Sequence, residues 1–138
     1  MTSSDLTISL PWLRPPLAQN DRRHWRQQHR DFQTAKDQAR WAIRAARPPK
    51  LDGVEIVLHY RVADHRRRDA DGPAPTLKAV LDALVAENVI PDDSWNHVPR
   101  IAVQIHPPTP GTPPAMWLTL TTITEPPTGG SSHSKDNP

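Results

Sequence analysis

The chain predicts an α/β (α+β) fold: a single domain with a mixed four-stranded sheet and two helices, in the order β-α-β-α-β-β. Four short segments alternate apolar and polar residues, as half-buried strands do. Two longer segments repeat apolar residues every three or four positions, as amphipathic helices do. The 138 residues suffice for one modest core and leave no core-sized fragment on either side of any proline-rich segment. Both helices are then expected to cover the sheet as one layer.

The first strand is Leu6-Thr7-Ile8-Ser9-Leu10, stopped by Pro11. Pro15-Pro16 and Gln19-Asn20 read as an irregular segment leading into Arg22-Arg23-His24-Trp25-Arg26. A helix is predicted from Asp31, a suitable N-cap, to Ala46, ended by Pro48-Pro49. Phe32, Ala35, Ala39, Ala42 and Ala46 share one face, while Lys36, Arg40 and Arg44 repeat on another as solvent-facing charges. Val54–Val62 is the clearest strand, with Val54, Ile56, Leu58, Tyr60 and Val62 on one face and Glu55, His59 and Arg61 on the other, where Val57 interrupts the polar series. If the backbone stays extended through Arg68, Asp69 and Asp71 project to one side, about 6.6 Å apart at Cα. Gly72-Pro73-Ala74-Pro75 breaks that strand.

The second helix is predicted from Thr76, as N-cap, to Glu87, with Leu77, Val80, Leu81, Leu84 and Val85 as its core stripe. Lys78 and Asp82 stand i, i+4 on a different face. Ile101, Val103 and Ile105 alternate as a third strand, and Trp117–Ile123 makes a fourth beyond the proline-rich His106–Pro114 connection. The domain is expected over residues 1–125 and a disordered polar tail over 126–138. There is no internal repeat.

Composition narrows the chemistry. Without cysteine the chain has neither disulfides nor a thiolate metal site. Any metal must be held by hard oxygen donors or by imidazole, and the histidines show no zinc-like spacing. No apolar run approaches a signal-peptide core or a membrane span, so a cytoplasmic protein with no membrane partner is expected. The net charge of +2 conceals a segregation of signs. Residues 14–68 hold 14 Lys/Arg against 6 Asp/Glu, whereas residues 69–93 hold 1 Lys against 6 Asp/Glu. A basic surface attracts a polyanion, and a knot of carboxylates repels one unless a divalent cation neutralises it.

That knot is Asp69, Asp71, Asp92 and Asp93, with Lys78 on the helix between the pairs. Phosphodiester hydrolysis builds negative charge, which Mg²⁺ answers by acidifying a bound water and clamping phosphoryl oxygens. Mg²⁺ takes few protein carboxylates and lets water and phosphate complete its shell. A lysine beside it serves as a point charge on phosphate or orients the attacking water. Such short acidic pairs also cap helices and decorate turns, and Asp92-Asp93 after Pro91 is itself a turn pattern.

The full series is Arg67-Arg68-Asp69-Ala70-Asp71, then Lys78-x-x-x-Asp82-Ala83-Leu84, then Asn88-Val89-Ile90-Pro91-Asp92-Asp93. It resembles the RusA family of Holliday junction resolvases, as does the opening Ile8-Ser9-Leu10-Pro11-Trp12 with Asn20 ahead of a basic patch. The likeness runs from Leu6 to Ile123. It implies a homodimeric endonuclease, dependent on Mg²⁺ or Mn²⁺, that resolves four-way DNA junctions by paired symmetric nicks. By position it implies Asp69, Asp71 and Asp93 as metal ligands, with Asp92 the alternative, and Lys78 as the catalytic lysine. Asp82 matches the pattern too, as a residue that holds Lys78. The family's Asn after Asp-x-Asp is Gly72 here, and the stretch before Lys78 is longer than the family pattern.

Arg66, Arg67 and Arg68 are expected to meet DNA phosphate, as are Arg22, Arg23 and Arg26 beside Trp25. A packed surface loop is the other reading of that second segment. Trp95 and Trp117 are expected in the core or at a dimer interface. Two further readings stay open: a junction-binding protein that has lost catalysis, and a nuclease for other branched nucleic acids.

Overall fold

Alternation of apolar residues decides the sheet. In a computed structural model, which describes residues 3–17 and 25–123, the strands are β1 (Ser3–Ser9), β2 (Val54–Arg61), β3 (Arg100–His106) and β4 (Ala115–Ile123). The helices are α1 (Trp25–Ala46) and α2 (Ala74–Ala86). The order β-α-β-α-β-β and the mixed four-stranded sheet are as the sequence predicts. The expected tail from residue 126 lies outside the described residues.

The strands lie in the order β1-β4-β2-β3. β4 is antiparallel to both β1 and β2, whereas β2 and β3 are parallel. A parallel pair needs a crossover, and α2 supplies it. Register places Ile8 opposite Leu118, Leu118 opposite Leu58, and Leu58 opposite Val103. These side chains therefore form a row across one face of the sheet. Val54, Ile56, Leu58, Leu118 and Leu120 are fully buried on that face. Each large aliphatic side chain so buried stabilises the fold by about 1.5–3 kcal/mol before chain entropy is counted. Cover thins toward β3, the edge strand, where Ile101 remains 49 % exposed.

α1 starts at Trp25, six residues before the expected start. Asp31 is thus no N-cap; it lies inside the helix and accepts a hydrogen bond from Gln27 Nε2 at 2.9 Å. Residues 25–30 contain no proline or glycine, so nothing in them stops the helix from extending backwards. Its buried stripe is Ala35, Ala39 and Ile43, while Ala46 is exposed at the helix end. Arg40 and Arg44 are not free surface charges. Both donate to Glu87, just past α2, at 2.8–3.0 Å and so tie the helices together.

α2 begins at Ala74, with Pro73 at the cap position and Pro75 in its first turn, where a missing N–H costs nothing. Thr76 is therefore not the cap. It is fully buried, and its hydroxyl bonds both the amide and the carbonyl of Leu17 at 3.3 Å. That contact fastens the segment after β1 to α2. Trp12 makes a second fastening, its indole N–H donating to Gln38 on α1 at 2.7 Å.

Candidate metal and nucleic-acid site

The turn after α2 brings Asp93 back to Lys78 and Asp82. Asn88 takes a left-handed conformation (φ 61), which asparagine tolerates better than most residues. The Val89 amide then bonds Leu84 O at 2.9 Å and the Asn88 amide bonds Val85 O at 3.0 Å, a Schellman ending that turns the chain back. Val89 and Ile90 are buried and anchor the turn. Pro91-Asp92-Asp93 consequently runs back along the helix. Lys78 Nζ lies 2.9 Å from Asp93 Oδ2 and 3.2 Å from Asp82 Oδ1. Asp93 and then Asp82 hold the ammonium charged, raising the Lys78 pKa above its ordinary value.

Asp92 and Asp93 part company. The Asp92 carboxylate accepts from the Ser94 hydroxyl and from the Ser94 amide at 2.8 Å, which lowers its pKa. His97 closes the same turn, bonding Asp52 at 2.8 Å, and its amide bonds Ser94 O at 3.0 Å. Asp92 thus holds a loop together, and Asp93 is the one that meets the lysine.

Asp69 and Asp71 do not stand on an extended strand. β2 stops at Arg61, and residues 70–73 form a turn. Gly72 N–H bonds Asp69 O at 3.1 Å and Ala74 N–H bonds Asp71 O at 2.9 Å. Two prolines in the next three residues force the bend, so the expected strand-like projection of the two carboxylates is replaced by a turn leading into the helix that carries Lys78. A Cβ at position 72 would meet Asp69 O at 3.2 Å, a tight approach that glycine relieves. Both carboxylates are exposed. Asp69 lies 3.6 Å from Arg67, and Asp71 has no ion pair or hydrogen-bond partner for its carboxylate among the described residues.

The arginine run divides in two. Arg66 and Arg68 are bound to Asp64, whose carboxylate accepts from the Arg66 amide and from both guanidiniums at 3.0–3.1 Å. The Arg66 amide bond and then the Arg68 guanidinium hold the Asp64 pKa down at about 2. Arg68 also donates to Asp64 O and Arg66 O at 2.9 and 3.0 Å, which shapes this non-strand segment. Arg67 is 90 % exposed. Asp64 was not anticipated; an acid two and four residues ahead of arginines is its only local signal. Arg26 is exposed on the first turn of α1, over the Trp25 ring at 5.3 Å. Arg22 and Arg23 lie outside the described residues.

Trp95 belongs to no core: it is 81 % exposed, two residues beyond Asp93. Trp117 is half-buried on the sheet face away from the helices, where its ring stacks with His59 and His106 at 5.1 and 5.0 Å.

Among the described residues no three carboxylate or imidazole side chains close on a single point. Asp69, Asp71 and Asp93 are therefore not a preformed cage. Their donor chemistry nevertheless suits Mg²⁺, which needs only one or two carboxylates and takes its other oxygens from water and phosphate. Asp69 and Asp71 offer two exposed hard donors in one pinned turn, and Asp93 is held by a lysine that a phosphate attracts. No family model matches the chain, and no curated protein matches it significantly.

Proposed function

We propose that the chain is a divalent-metal-dependent endodeoxyribonuclease acting on branched DNA, the reading that its likeness to the RusA resolvases implies. The observation that carries it is the meeting of Lys78 with Asp93, fifteen residues further along, on the helix that Asp69 and Asp71 lead into. A lysine bound between two carboxylates, Asp82 and Asp93, suits a site that admits a phosphate together with a cation.

In this reading Asp69 and Asp71 hold Mg²⁺ or Mn²⁺, with Asp93 as the third carboxylate. The ion supplies an acidified water and a positive charge on the phosphoryl oxygens. Arg67 draws the DNA backbone toward the turn, as its exposure and weak pairing permit. Lys78 exchanges Asp93 for a phosphate oxygen, and the freed Asp93 carboxylate becomes available. Asp82 keeps hold of the ammonium during that exchange and so fixes its position. Paired nicks in a four-armed substrate call for two such sites related by a two-fold axis, hence a homodimer.

The test is nicking of a labelled four-way junction during a Mg²⁺ titration, repeated with Mn²⁺. Paired nicks near the crossover are expected. A folded protein that binds the junction and never nicks it, in either metal, overturns the reading. That outcome would favour a non-catalytic junction-binding protein. Comparison of junction, flap and duplex substrates separates a resolvase from a nuclease for other branches.

A further inference from the structure

A cleft of about 420 Å³ adjoins the acidic turn and shares Asp69 with it, while its apolar lining has no part in the proposed chemistry. One wall is the segment after β1, with Arg14, Pro15 and Leu17, and the other is the arginine segment with Arg66, Arg68 and Asp69. Its floor is apolar: Leu17 and Tyr60 are each 7 % exposed, and Ile105 is half-buried. The rim carries three guanidiniums, Arg14, Arg66 and Arg68, against one carboxylate, Asp69. The volume lies within the roughly 300–1,000 Å³ typical of small-molecule sites.

Both walls are fixed. Thr76 binds the amide and the carbonyl of Leu17, so the first wall is fastened to α2. Arg68 is held by Asp64 and by the Arg66 carbonyl, so the second wall keeps its shape. Arg14 is exposed and has no polar partner among the described residues, which leaves its guanidinium available. An apolar slot with a guanidinium rim is complementary to a planar apolar group joined to an anion. A nucleotide has that form, with the base against Tyr60, Leu17 and Ile105 and the phosphate at Arg14 and Arg66.

We propose that this cleft receives one unstacked nucleotide of the DNA strand, next to the Asp69 turn. The proposal rests on the nuclease reading for its substrate class and deepens it. Stacking continuity is interrupted where strands exchange at a branch point, so extrusion of a nucleotide costs less there than inside a continuous duplex. A cleft that accepts only an unstacked nucleotide thereby confers preference for branched over duplex DNA.

Tyr60 is the only tyrosine in the chain, so 3-fluorotyrosine incorporation gives a single ¹⁹F resonance in the cleft floor. Titration with thymidine 5′-monophosphate is expected to shift it saturably, while inorganic phosphate and deoxyribose 5-phosphate leave it in place. Arg14→Ala is expected to weaken the effect by about tenfold, one guanidinium–phosphate contact. Ile105→Trp, which fills the slot from a half-exposed edge position, is expected to abolish it. A resonance that ignores the nucleotide, or that responds equally to phosphate alone, overturns the proposal. Protein that nicks junctions with a silent resonance refutes the cleft and spares the nuclease. A saturable shift in protein that never nicks does the reverse.

Discussion

Glu87 and Asp71 are carboxylates at opposite ends of α2, in opposite circumstances. Glu87 is only 12 % exposed and receives three hydrogen bonds from Arg40 and Arg44. The Arg44 and then the Arg40 contacts hold its pKa down at about 2. Asp71 is exposed, and its carboxylate is without a partner among the described residues. A structural charge is matched and shielded, because an unmatched buried charge is costly. Under the nuclease reading the Asp71 charge is left open for a metal, and the fold gains nothing from it. Substitution should therefore separate the two: loss of Glu87 should cost stability without chemistry, and loss of Asp71 chemistry without stability.

Asp71→Asn carries the largest expected effect. Nicking should fall by roughly a thousandfold, the scale of a lost transition-state charge contact. Junction affinity and melting temperature should stay at wild-type values. Gel-shift and single-turnover assays on the same preparation check this, and a variant that loses binding and cutting in proportion breaks the assignment.

Glu87→Gln is the converse. Two guanidiniums lose their anion, and the α1–α2 clasp should weaken by about 1–2 kcal/mol, between the values for an exposed ion pair and for a charged hydrogen bond. For a domain of this size that lowers the melting temperature by about 4–8 °C. Cleavage per folded molecule should not change. A variant that keeps its melting temperature would show that the clasp is ornamental.

Acid sharpens the same contrast. The folded-state pKa of Glu87 is depressed, so its contribution is complete above the unfolded value of 4.5 and is lost as pH falls toward about 2. Asp64 acts in the same direction, from 3.8 toward about 2, and its loss loosens the Arg66–Arg68 segment. The gap in melting temperature between wild type and Glu87→Gln should accordingly close between pH 4.5 and pH 2. Parallel curves down to pH 2 would place the clasp's energy elsewhere.

The sheet was legible in the sequence because burial on one face imposes a period of two, which β2 obeys without exception from Val54 to Arg61. The start of α1 was not, because residues 25–30 present no apolar stripe and Asp31 imitates a cap. Thr76 misled for a related reason: a cap and a buried tether both favour a hydroxyl, and only Leu17, 59 residues away, tells them apart. At the site, the Lys78–Asp82 pair followed from helix spacing. The Lys78–Asp93 contact required the left-handed turn at Asn88, which an asparagine just past a helical stripe does signal. Asp64 and Glu87 escaped notice because their partners were chosen by tertiary proximity or by loop geometry, neither of which has a period.

The smallest effect concerns two histidines whose pKa values move apart. His59 is half-buried on the open sheet face, bonded to His106 at 2.8 Å and to Thr119 at 2.9 Å. Burial, and then the neighbouring His106, lower its pKa below 6.5. Its contribution to stability is therefore present above pH 6.5 and is lost as pH falls through the folded value. His97 is the reverse: its bond to Asp52 raises its pKa, so its contribution is present below pH 6.5 and is lost as pH rises through the folded value. Near neutrality the two slopes oppose each other, so each offsets part of the other in the wild type. Removing either histidine should expose the other. His97→Asn should grow less stable as pH falls from 7.5 to 5.5, and His59→Gln should grow more stable over the same interval. Glu87 and Asp64 stay ionised throughout that window and do not contribute. Denaturant midpoints at three pH values decide it: slopes of the same sign in the two variants would mean that the stacked rings and the Asp52 pair do not act on these imidazoles as their surroundings require.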